Sequence, residues 1–248
     1  MDNLEILTKI GLLFLFLAIA FETVWISIRL RRAIKAGKQA RAAANKAENE
    51  SARILVIGDS TALGTGASEA SSSIAGMLIR DFPRFSLVNE SENSMSIKRT
   101  REKIETLLDQ HFDIVMINTG GIDTLSFTPF RNFKAELEKI LAYTKEMGAS
   151  STIIISMNNV GTAPIFHFPI SAIFTYRSRQ LSRLCESICR EQGAVHVPLF
   201  TEFKDEPLIE KGRHHFAHDC IHPNDTGYSI WYERIKSVSI HKLQELHK

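Results

Sequence analysis

Five short apolar runs alternate with helical patterns from residue 53 onward. This alternation is typical of an α/β fold, in which helices cover both faces of a parallel sheet. The third run is almost wholly apolar, as expected for a strand that is buried on both faces. We therefore predict a five-stranded parallel sheet with strands at Ile54–Ile57, Phe85–Val88, Ile114–Ile117, Thr152–Met157 and Ala194–Val197, and helices at Ser72–Asp81, Ile97–His111, Phe133–Met147, Ser178–Gln192 and from Asn224 or Asp225.

The segment Ile10–Ile28 is a run of 19 residues with a single charge, Glu22. As a helix that rises about 1.5 Å per residue, it nearly spans a hydrocarbon core of roughly 30 Å. A signal peptide cleaved at Ala18-Ile19-Ala20 is disfavoured by the acidic residues near the N-terminus and by the apolar residues that follow the site. A buried helix of the folded domain is disfavoured because the polar residues after it are unsuited to close docking. We predict an uncleaved single-pass anchor over residues 1–30.

Basic residues dominate the stretch after the apolar run, with no acid before Glu48. The positive-inside rule places this side of the membrane, and the domain that follows, in the cytoplasm. The alternative is that the basic stretch only continues a solvated helix. Residues 31–52 are predicted to form a helical or flexible stalk, and residues 53–248 the folded domain. The basic residues are Arg29, Arg31, Arg32, Lys35, Lys38, Arg41 and Lys46.

The overall composition argues against several classes of function. The net charge of +2 is too small to indicate a nucleic-acid partner. The three cysteines form no convincing disulfide framework. His214, His215, His218 and His222 lie close together, but no acidic or cysteine cluster elsewhere has the spacing of metal ligands. We therefore predict neither a metal site nor a cofactor.

The first predicted strand ends in Gly58-Asp59-Ser60, which places a serine in a tight turn. Ligands sit at the carboxyl edge of an open parallel sheet, so Ser60 is a candidate nucleophile. Three glycine motifs do not fit: a Walker loop lacks its lysine, a dinucleotide fingerprint lacks a glycine near residue 69, and the α/β-hydrolase elbow has Ala62 in place of glycine. A turn serine is also common as a helix cap.

The pair Asp219 and His222 supplies the acid and the base that Ser60 would need. Their spacing allows one short turn to present a carboxylate and an imidazole together. Asp219 would hold the ring of His222, and the other ring nitrogen would take a proton from Ser60. The alternative is that Asp219 and His222 only cap the helix that follows.

Acyl chemistry also needs N–H donors that point at the developing oxyanion. The amide of Ser60 is one candidate. The turns at Asn93-Ser94 and Gly120-Gly121 follow the second and third predicted strands, so they would meet Ser60 at the same sheet edge. Ser60, Ser94 and Gly120 are therefore candidate oxyanion donors. The alternative is that both turns only reverse the chain.

These motifs resemble the SGNH (GDSL-type) hydrolases, which are serine esterases with a flavodoxin-like α/β/α sandwich. The resemblance extends from residue 53 to about 235. The stretch Gly58–Ala67 reads GDSTALGTGA and is similar to that of bacterial members. The resemblance implies that Ser60 is the nucleophile, that Asp219 and His222 assist it, and that no cofactor is used. Such hydrolases are often exported, which makes the periplasm the alternative location.

The chain departs from this family where the oxyanion is bound. The family's second-block glycine corresponds to Ser94, whose backbone N–H is retained. The family's Gly-x-Asn-Asp stretch corresponds to Gly120–Asp123, with Ile122 in place of the asparagine. Loss of such a donor typically lowers turnover about 10²–10³-fold, and Asn118 and Asn159 are candidate substitutes. The alternative to an enzyme is an impaired domain that binds an acyl group or a glycan, or serves as an interaction module.

The segment Gly161–Phe174 follows the fourth predicted strand and is rich in apolar residues. We predict that it overhangs the site, with Asn159, Phe166 and Phe168 as substrate-binding residues. Contact with the bilayer and ordinary core packing are the alternatives. We predict serine-dependent hydrolysis of a carboxylic ester through an acyl-enzyme, with an apolar acyl chain such as that of a lipid. A short acyl group on a glycan is the alternative substrate.

Overall fold

The structure is a computed structural model that describes residues 3–212 and 215–247. Its five strands are β1 (Ala52–Gly58), β2 (Phe85–Asn89), β3 (Ile114–Thr119), β4 (Ser151–Ser156) and β5 (Val195–Pro198). They form one sheet in the order β2-β1-β3-β4-β5, and every neighbouring pair is parallel. The predicted five-stranded parallel sheet is confirmed, and its strand order is that of flavodoxin-like folds.

The described residues also form eight α-helices, four of which correspond to the helices predicted between strands. The helices are α1 (Asn3–Gln39), α2 (Ser60–Leu63), α3 (Ile74–Asp81), α4 (Ile97–Glu105), α5 (Gly121–Leu125), α6 (Phe130–Glu146), α7 (Ile170–Gln192) and α8 (Asp225–His247).

Two helix boundaries differ from the prediction by more than five residues. α4 ends at Glu105 because the chain then tightens into i→i−3 hydrogen bonds, such as that from Leu107 N to Ile104 O (2.9 Å). Leu107 is buried although it lies beyond the end of α4. The apolar spacing that predicted the helix therefore continues past the point where the helix ends. α7 begins directly after Pro169, eight residues before the predicted start at Ser178, and its buried face already includes Phe174.

The core consists of two apolar layers, one on each face of the sheet. Alternate side chains of a strand point to opposite faces. Ile54 and Val56 of β1 therefore pack with α3 and α8. Leu55 and Ile57 pack with α4, α6 and α7. The result is the predicted three-layer α/β/α sandwich.

Helix α1 runs for 37 residues without interruption across the predicted boundary at residue 30. The described side chains of residues 5–17 are exposed on every side of the helix. From Glu22 onward, one face of the helix is buried against the domain, including Ala33 and Gly37. The length and composition of α1 are sufficient to cross a membrane, and a signal sequence would have the same properties.

The polar segment after α1 also lies against the domain, so the prediction that its polarity would prevent docking is wrong. Asn45 forms an antiparallel bridge with Leu87 of β2, with N–O distances of 3.1 and 3.0 Å. Its side-chain amide donates to the carbonyl of Phe85 at 3.0 Å. These hydrogen bonds and the burial of Ala43 in the core provide this docking, and the bonds cover part of the free edge of β2.

Glu206 is a buried carboxyl in the loop between β5 and α8, with 2% of its surface exposed. Its Oε2 accepts from Thr201 Oγ1 at 2.8 Å, and its Oε1 accepts from the amide of Leu208 at 3.4 Å. Burial raises the pKa of Glu206 to about 7 and outweighs these two hydrogen bonds, which lower it.

We predict that Glu206 makes the free energy of unfolding fall as the pH rises. The unfolded carboxyl loses its proton near pH 4.5, whereas the folded one keeps it until about pH 7. The stabilisation is therefore fully present below about pH 4.5 and is lost as the pH rises through about 7. Its size is roughly 3 kcal/mol.

Urea unfolding at pH 4.5 and pH 8 would measure this effect, at the two ends of the titration. We expect Glu206→Gln to remove most of the stability loss between the two pH values. Glu233→Gln, at an exposed position of α8, is the control. The same pH dependence in the wild type and in Glu206→Gln would contradict the prediction.

Candidate active site

Ser60 is the first residue of α2 and follows the carboxyl end of β1. Asp59 caps this short helix, because its Oδ1 accepts from Thr61 N at 2.9 Å and from Thr61 Oγ1 at 2.7 Å. Burial raises the pKa of Asp59, although both bonds from Thr61 and the charge of His222 lower it. The serine is therefore held by a helix turn whose cap is the residue before it.

His222 links Ser60 to Asp219 through its two ring nitrogens. Nε2 lies 2.8 Å from Ser60 Oγ, and Nδ1 lies 2.7 Å from Asp219 Oδ2. The carboxylate fixes the tautomer in which Nδ1 carries the proton, so Nε2 is free to accept from the hydroxyl of Ser60. This is the geometry of a serine nucleophile with its base and orienting acid.

Asp219 is buried and also organises its own turn. Its Oδ1 accepts from the amides of Ile221 and His222, each at 3.0 Å. Burial raises the pKa of Asp219, but the hydrogen bond and charge of His222, with the two amides, hold this pKa below its ordinary value. A carboxylate that stays ionised can orient and stabilise the imidazolium that forms when His222 takes a proton.

The alternative role for Asp219 and His222, capping of the next helix, does not apply to α8. That helix begins at Asp225, and Asn224 Oδ1 accepts from the amide of Gly227 at 3.0 Å. Asn224 is therefore the capping residue. Asp219 and His222 are left available to Ser60.

Ser60 and His222 line a cavity of about 280 Å³. Ser94 lines it too, in a left-handed conformation with φ of 59°, which favours glycine. Gly120 is not among its described lining residues, although Ile122 of the following turn is. Of the three candidate oxyanion donors, Ser60 and Ser94 thus lie at the cavity, whereas Gly120 does not.

The structure contradicts the predicted substrate-binding role of Asn159. Its side chain is fully buried. Its Oδ1 accepts from Gly161 N at 3.2 Å and from Thr175 Oγ1 at 2.8 Å, and its Nδ2 donates to Thr201 O at 3.1 Å. Every polar atom of this amide is therefore committed to the surrounding loops, which also removes Asn159 as a substitute oxyanion donor.

Phe166, Phe168 and Asn118 are likewise absent from the described lining of the cavity that holds Ser60. Phe166 packs edge-on against Phe174, with ring centroids 4.7 Å apart. Phe168 is 84% exposed. Asn118 lies with Asp59 in a separate cavity of about 30 Å³. The overhanging segment therefore packs as core or faces outward and does not form an acyl pocket.

Helix α1 reaches this site, a feature that the sequence analysis missed. The carbonyl of Gly37 accepts from Asn93 Nδ2 at 3.0 Å, and Asn93 Oδ1 accepts from Thr65 Oγ1 at 2.9 Å. Asn93 thus connects the last turn of α1 to the loop that follows Ser60. The small residues Ala33 and Gly37, one turn apart among long side chains, were the available sequence signal for this close approach.

Among the described residues, no group of three His, Cys, Asp or Glu side chains is arranged to hold a metal ion. His214, one of the four clustered histidines, lies outside the described residues. His222 is occupied by Ser60 and Asp219. The backbone carbonyl of His218 accepts from Arg29 at 3.1 Å.

A family model for the GDSL-like lipase/acylhydrolase family matches residues 56–230, well over half of the chain. The chain therefore belongs to this family, as the sequence motifs predicted. Membership places the protein among the carboxylic ester hydrolases. No curated protein matches its sequence.

Solved structures with the same fold include TesA and two proteins named as esterases. TesA is 17% identical with a TM-score of 0.59, and the match covers 75% of this chain and 97% of TesA. The psychrotrophic esterase EstA from Pseudoalteromonas sp. is 18% identical with a TM-score of 0.56, and the match covers 77% of this chain and 98% of EstA. An acetylxylan esterase from Geobacillus stearothermophilus is 18% identical with a TM-score of 0.58, and the match covers 76% of this chain and 94% of the esterase. At these identities the likeness establishes the fold.

We expect Gly37→Ala to loosen α1 from the active site. A Cβ at this position would lie 2.8 Å from Asn93 Oδ1, so the side chain of Asn93 must shift, and we expect its bond to the Gly37 carbonyl to be lost. The lost bond costs about 1 kcal/mol, and alanine restores about the same amount in helix propensity. The global stability should therefore change little while the local docking weakens.

Limited trypsin digestion after Arg41 and Lys46 would report this local change. We expect cleavage to become about fivefold faster in Gly37→Ala, the factor that corresponds to 1 kcal/mol. Gly11→Ala on the same helix is the matched control, because nothing lies within 4 Å of its added Cβ. Equal cleavage rates in the two variants would contradict the docking described above.

Proposed function

We propose that the protein hydrolyses a carboxylic ester through an acyl-enzyme formed on Ser60. His222 takes the proton of Ser60 as the serine attacks the ester carbonyl, and it returns this proton to the leaving alcohol. Asp219 holds His222 in the required tautomer. The observation that carries this proposal is the chain of two short bonds, 2.8 Å from Ser60 to His222 and 2.7 Å from His222 to Asp219.

The backbone amides of Ser60 and Ser94 are the oxyanion donors that we propose. As the first residue of α2, Ser60 has an N–H with no acceptor inside its own helix. Ser94 borders the same cavity. Ile122 brings a hydrocarbon side chain to the position where the family motif has a donor, so we expect a slow enzyme rather than an inactive one.

A second candidate function is supported by Ile122 alone. With a weakened oxyanion site, the domain would bind an acyl group or a glycan without turning it over, or would act as an interaction module. Retention of Ser60, His222 and Asp219 in hydrogen-bonding positions favours the enzyme, because nothing in the sandwich requires that trio for packing.

Labelling with a fluorophosphonate probe separates these functions. We expect the wild type to be labelled and Ser60→Ala to be unlabelled, because the probe reacts only with an activated serine. We expect Ile122→Asn to react about 10²–10³-fold faster, since it restores one donor to the oxyanion site. A folded wild-type protein that resists the probe would favour the binding module, and recovery in Ile122→Asn would identify the isoleucine as the cause.

The proposed substrate is an ester with an apolar acyl chain, for which a lipid is the leading candidate. Ile122, Leu125 and Ile221 supply apolar surface beside Ser60. An acetyl group on a glycan is the alternative, since two structures with this fold are acetylxylan esterases. The reaction needs neither a cofactor nor a nucleic-acid partner.

We propose that α1 anchors the protein in a membrane, with the domain on the cytoplasmic side. The basic residues that follow the apolar run support this orientation, and export is the alternative. The chain then divides into an anchor (1–30), a connecting segment (31–52) that begins inside α1, and the hydrolase domain (53–248). Glu22, the one charge of the apolar run, is satisfied by His167.

Phe168 is proposed to contact the bilayer beside α1. Its neighbour His167 donates its amide to Glu22 Oε1 at 2.8 Å, and its ring Nδ1 lies 2.7 Å from Glu22 Oε2. Because Glu22 lies within the apolar run, this hydrogen bonding brings the backbone before Phe168 to the depth of that run. An exposed aromatic side chain at that depth would enter the acyl or headgroup region rather than water.

Cysteine accessibility would test the orientation and the bilayer contact together. Phe203 and Phe168 are both exposed, at 63% and 84%. We expect the thiol introduced by Phe203→Cys to react with an impermeant maleimide only after the cells are permeabilised. We expect the thiol introduced by Phe168→Cys to react only after detergent solubilisation, with the wild type as the background.

Two outcomes would contradict these proposals. Reaction of the Phe203→Cys variant on intact cells would place the domain outside the cytoplasm. Equal reactivity of the two variants with the maleimide in permeabilised cells would show that Phe168 does not contact the bilayer.

A further inference from the structure

Helix α1 supplies one wall of the cavity that holds Ser60 and His222. Its lining residues recur at intervals of three and four, so they lie on a single face of the helix. The opposite wall comes from the folded domain and includes the apolar residues Ile122, Leu125 and Ile221. The residues of α1 that line the cavity are Leu30, Ala33, Ile34, Gly37 and Lys38.

This wall is held at three successive levels of α1. Near its end, Asn93 donates to the carbonyl of Gly37 at 3.0 Å. In its middle, Arg29 donates to the carbonyl of His218 at 3.1 Å. Further back, Glu22 accepts from the amide of His167 at 2.8 Å. A helix held at two points before its cavity-lining residues and at one point among them is a fixed part of the site.

The cavity begins close to the end of the apolar run of α1. Leu30 is two residues beyond Ile28, which is about 3 Å along the helix axis, and Lys38 is about 15 Å beyond it. The headgroup layer on each side of a bilayer is roughly 5–8 Å thick. With α1 spanning the membrane, the lining residues nearest Ile28 lie at the depth of the headgroups.

We propose that α1 is the acyl-specificity wall of the active site, and that Leu30, Ala33 and Ile34 contact an acyl chain that enters from the bilayer. This inference rests on the proposed function. Ser60 Oγ bonds to the ester carbonyl carbon, and the alcohol leaves with the proton that His222 took from Ser60. Water then gives a proton to His222 and attacks the acyl-enzyme, which releases the fatty acid and returns the proton to Ser60.

The same arrangement gives Ile122 a positive role in the site. Asparagine at this position would present a polar amide to a cavity whose other members include Ile34 and Leu125. Isoleucine removes a donor and adds apolar surface that faces the substrate. On this inference, Ile122 weakens the stabilisation of the oxyanion and strengthens contact with an acyl chain.

The test is a chain-length series of nitrophenyl esters, from acetyl to dodecanoyl, hydrolysed by the full chain in lipid nanodiscs. Ile34→Trp narrows the cavity from the α1 side. Ile28→Trp is the matched control, because Ile28 lies on the same helix at 48% exposure against 54% for Ile34 but does not line the cavity. The readout is kcat/KM for dodecanoyl relative to acetyl ester.

We expect the wild type to favour long chains, and Ile34→Trp to lower the dodecanoyl-to-acetyl ratio at least about 10-fold. A thermal unfolding transition like that of the wild type shows that Ile34→Trp folds, and Ile28→Trp should keep the wild-type ratio. The inference would be overturned if kcat/KM in the wild type did not depend on chain length, or if the two variants had equal dodecanoyl-to-acetyl ratios. Either result would leave the proposed esterase activity unaffected. Absence of Ser60-dependent hydrolysis of every ester would overturn the proposed function itself, and the inference with it.

Discussion

The hydrogen bond between His222 and Ser60 joins two turns that are 162 positions apart in the chain. Two further bonds hold these turns together. The hydroxyl of Tyr228 donates to the carbonyl of Thr65 at 2.7 Å, and Asp225 accepts from the amide of Ser68 at 2.7 Å. The sandwich brings both turns to one sheet edge, and these bonds help to hold them at the separation at which a proton can move.

In the function that we propose, one helix serves both membrane attachment and the shape of the active site. A helix that only tethered the domain would need no contact with it. Here Gly37 approaches Asn93 so closely that a side chain would collide with it. The apolar wall that α1 adds faces the isoleucine that replaces the family's oxyanion donor. The slow catalysis and the hydrophobic site near the bilayer that we propose are therefore two consequences of the same architecture.

Much of the fold follows from local pattern. Short apolar runs between helical segments predicted all five strands, because a strand buried on both faces must be apolar throughout. Helix ends were less predictable. Around Leu107 the apolar spacing continues after the helix has ended, since a tight turn can bury the same side chain. The substrate-binding role predicted for Asn159 was wrong because the sequence does not distinguish a loop asparagine that binds a ligand from one that hydrogen-bonds to neighbouring loops.

The sequence by itself determined the family, the parallel sheet and the three residues that meet at its edge, since each of these rests on residue identity and spacing along the chain. Only the tertiary structure decided what surrounds them. It placed Leu30 and Ile34 at the cavity and left Phe168 outside it. The physical reason is that contacts between distant segments depend on the direction in which a helix leaves the fold, and that direction is set by bonds such as Asn93 to Gly37 and His167 to Glu22, which no local pattern encodes.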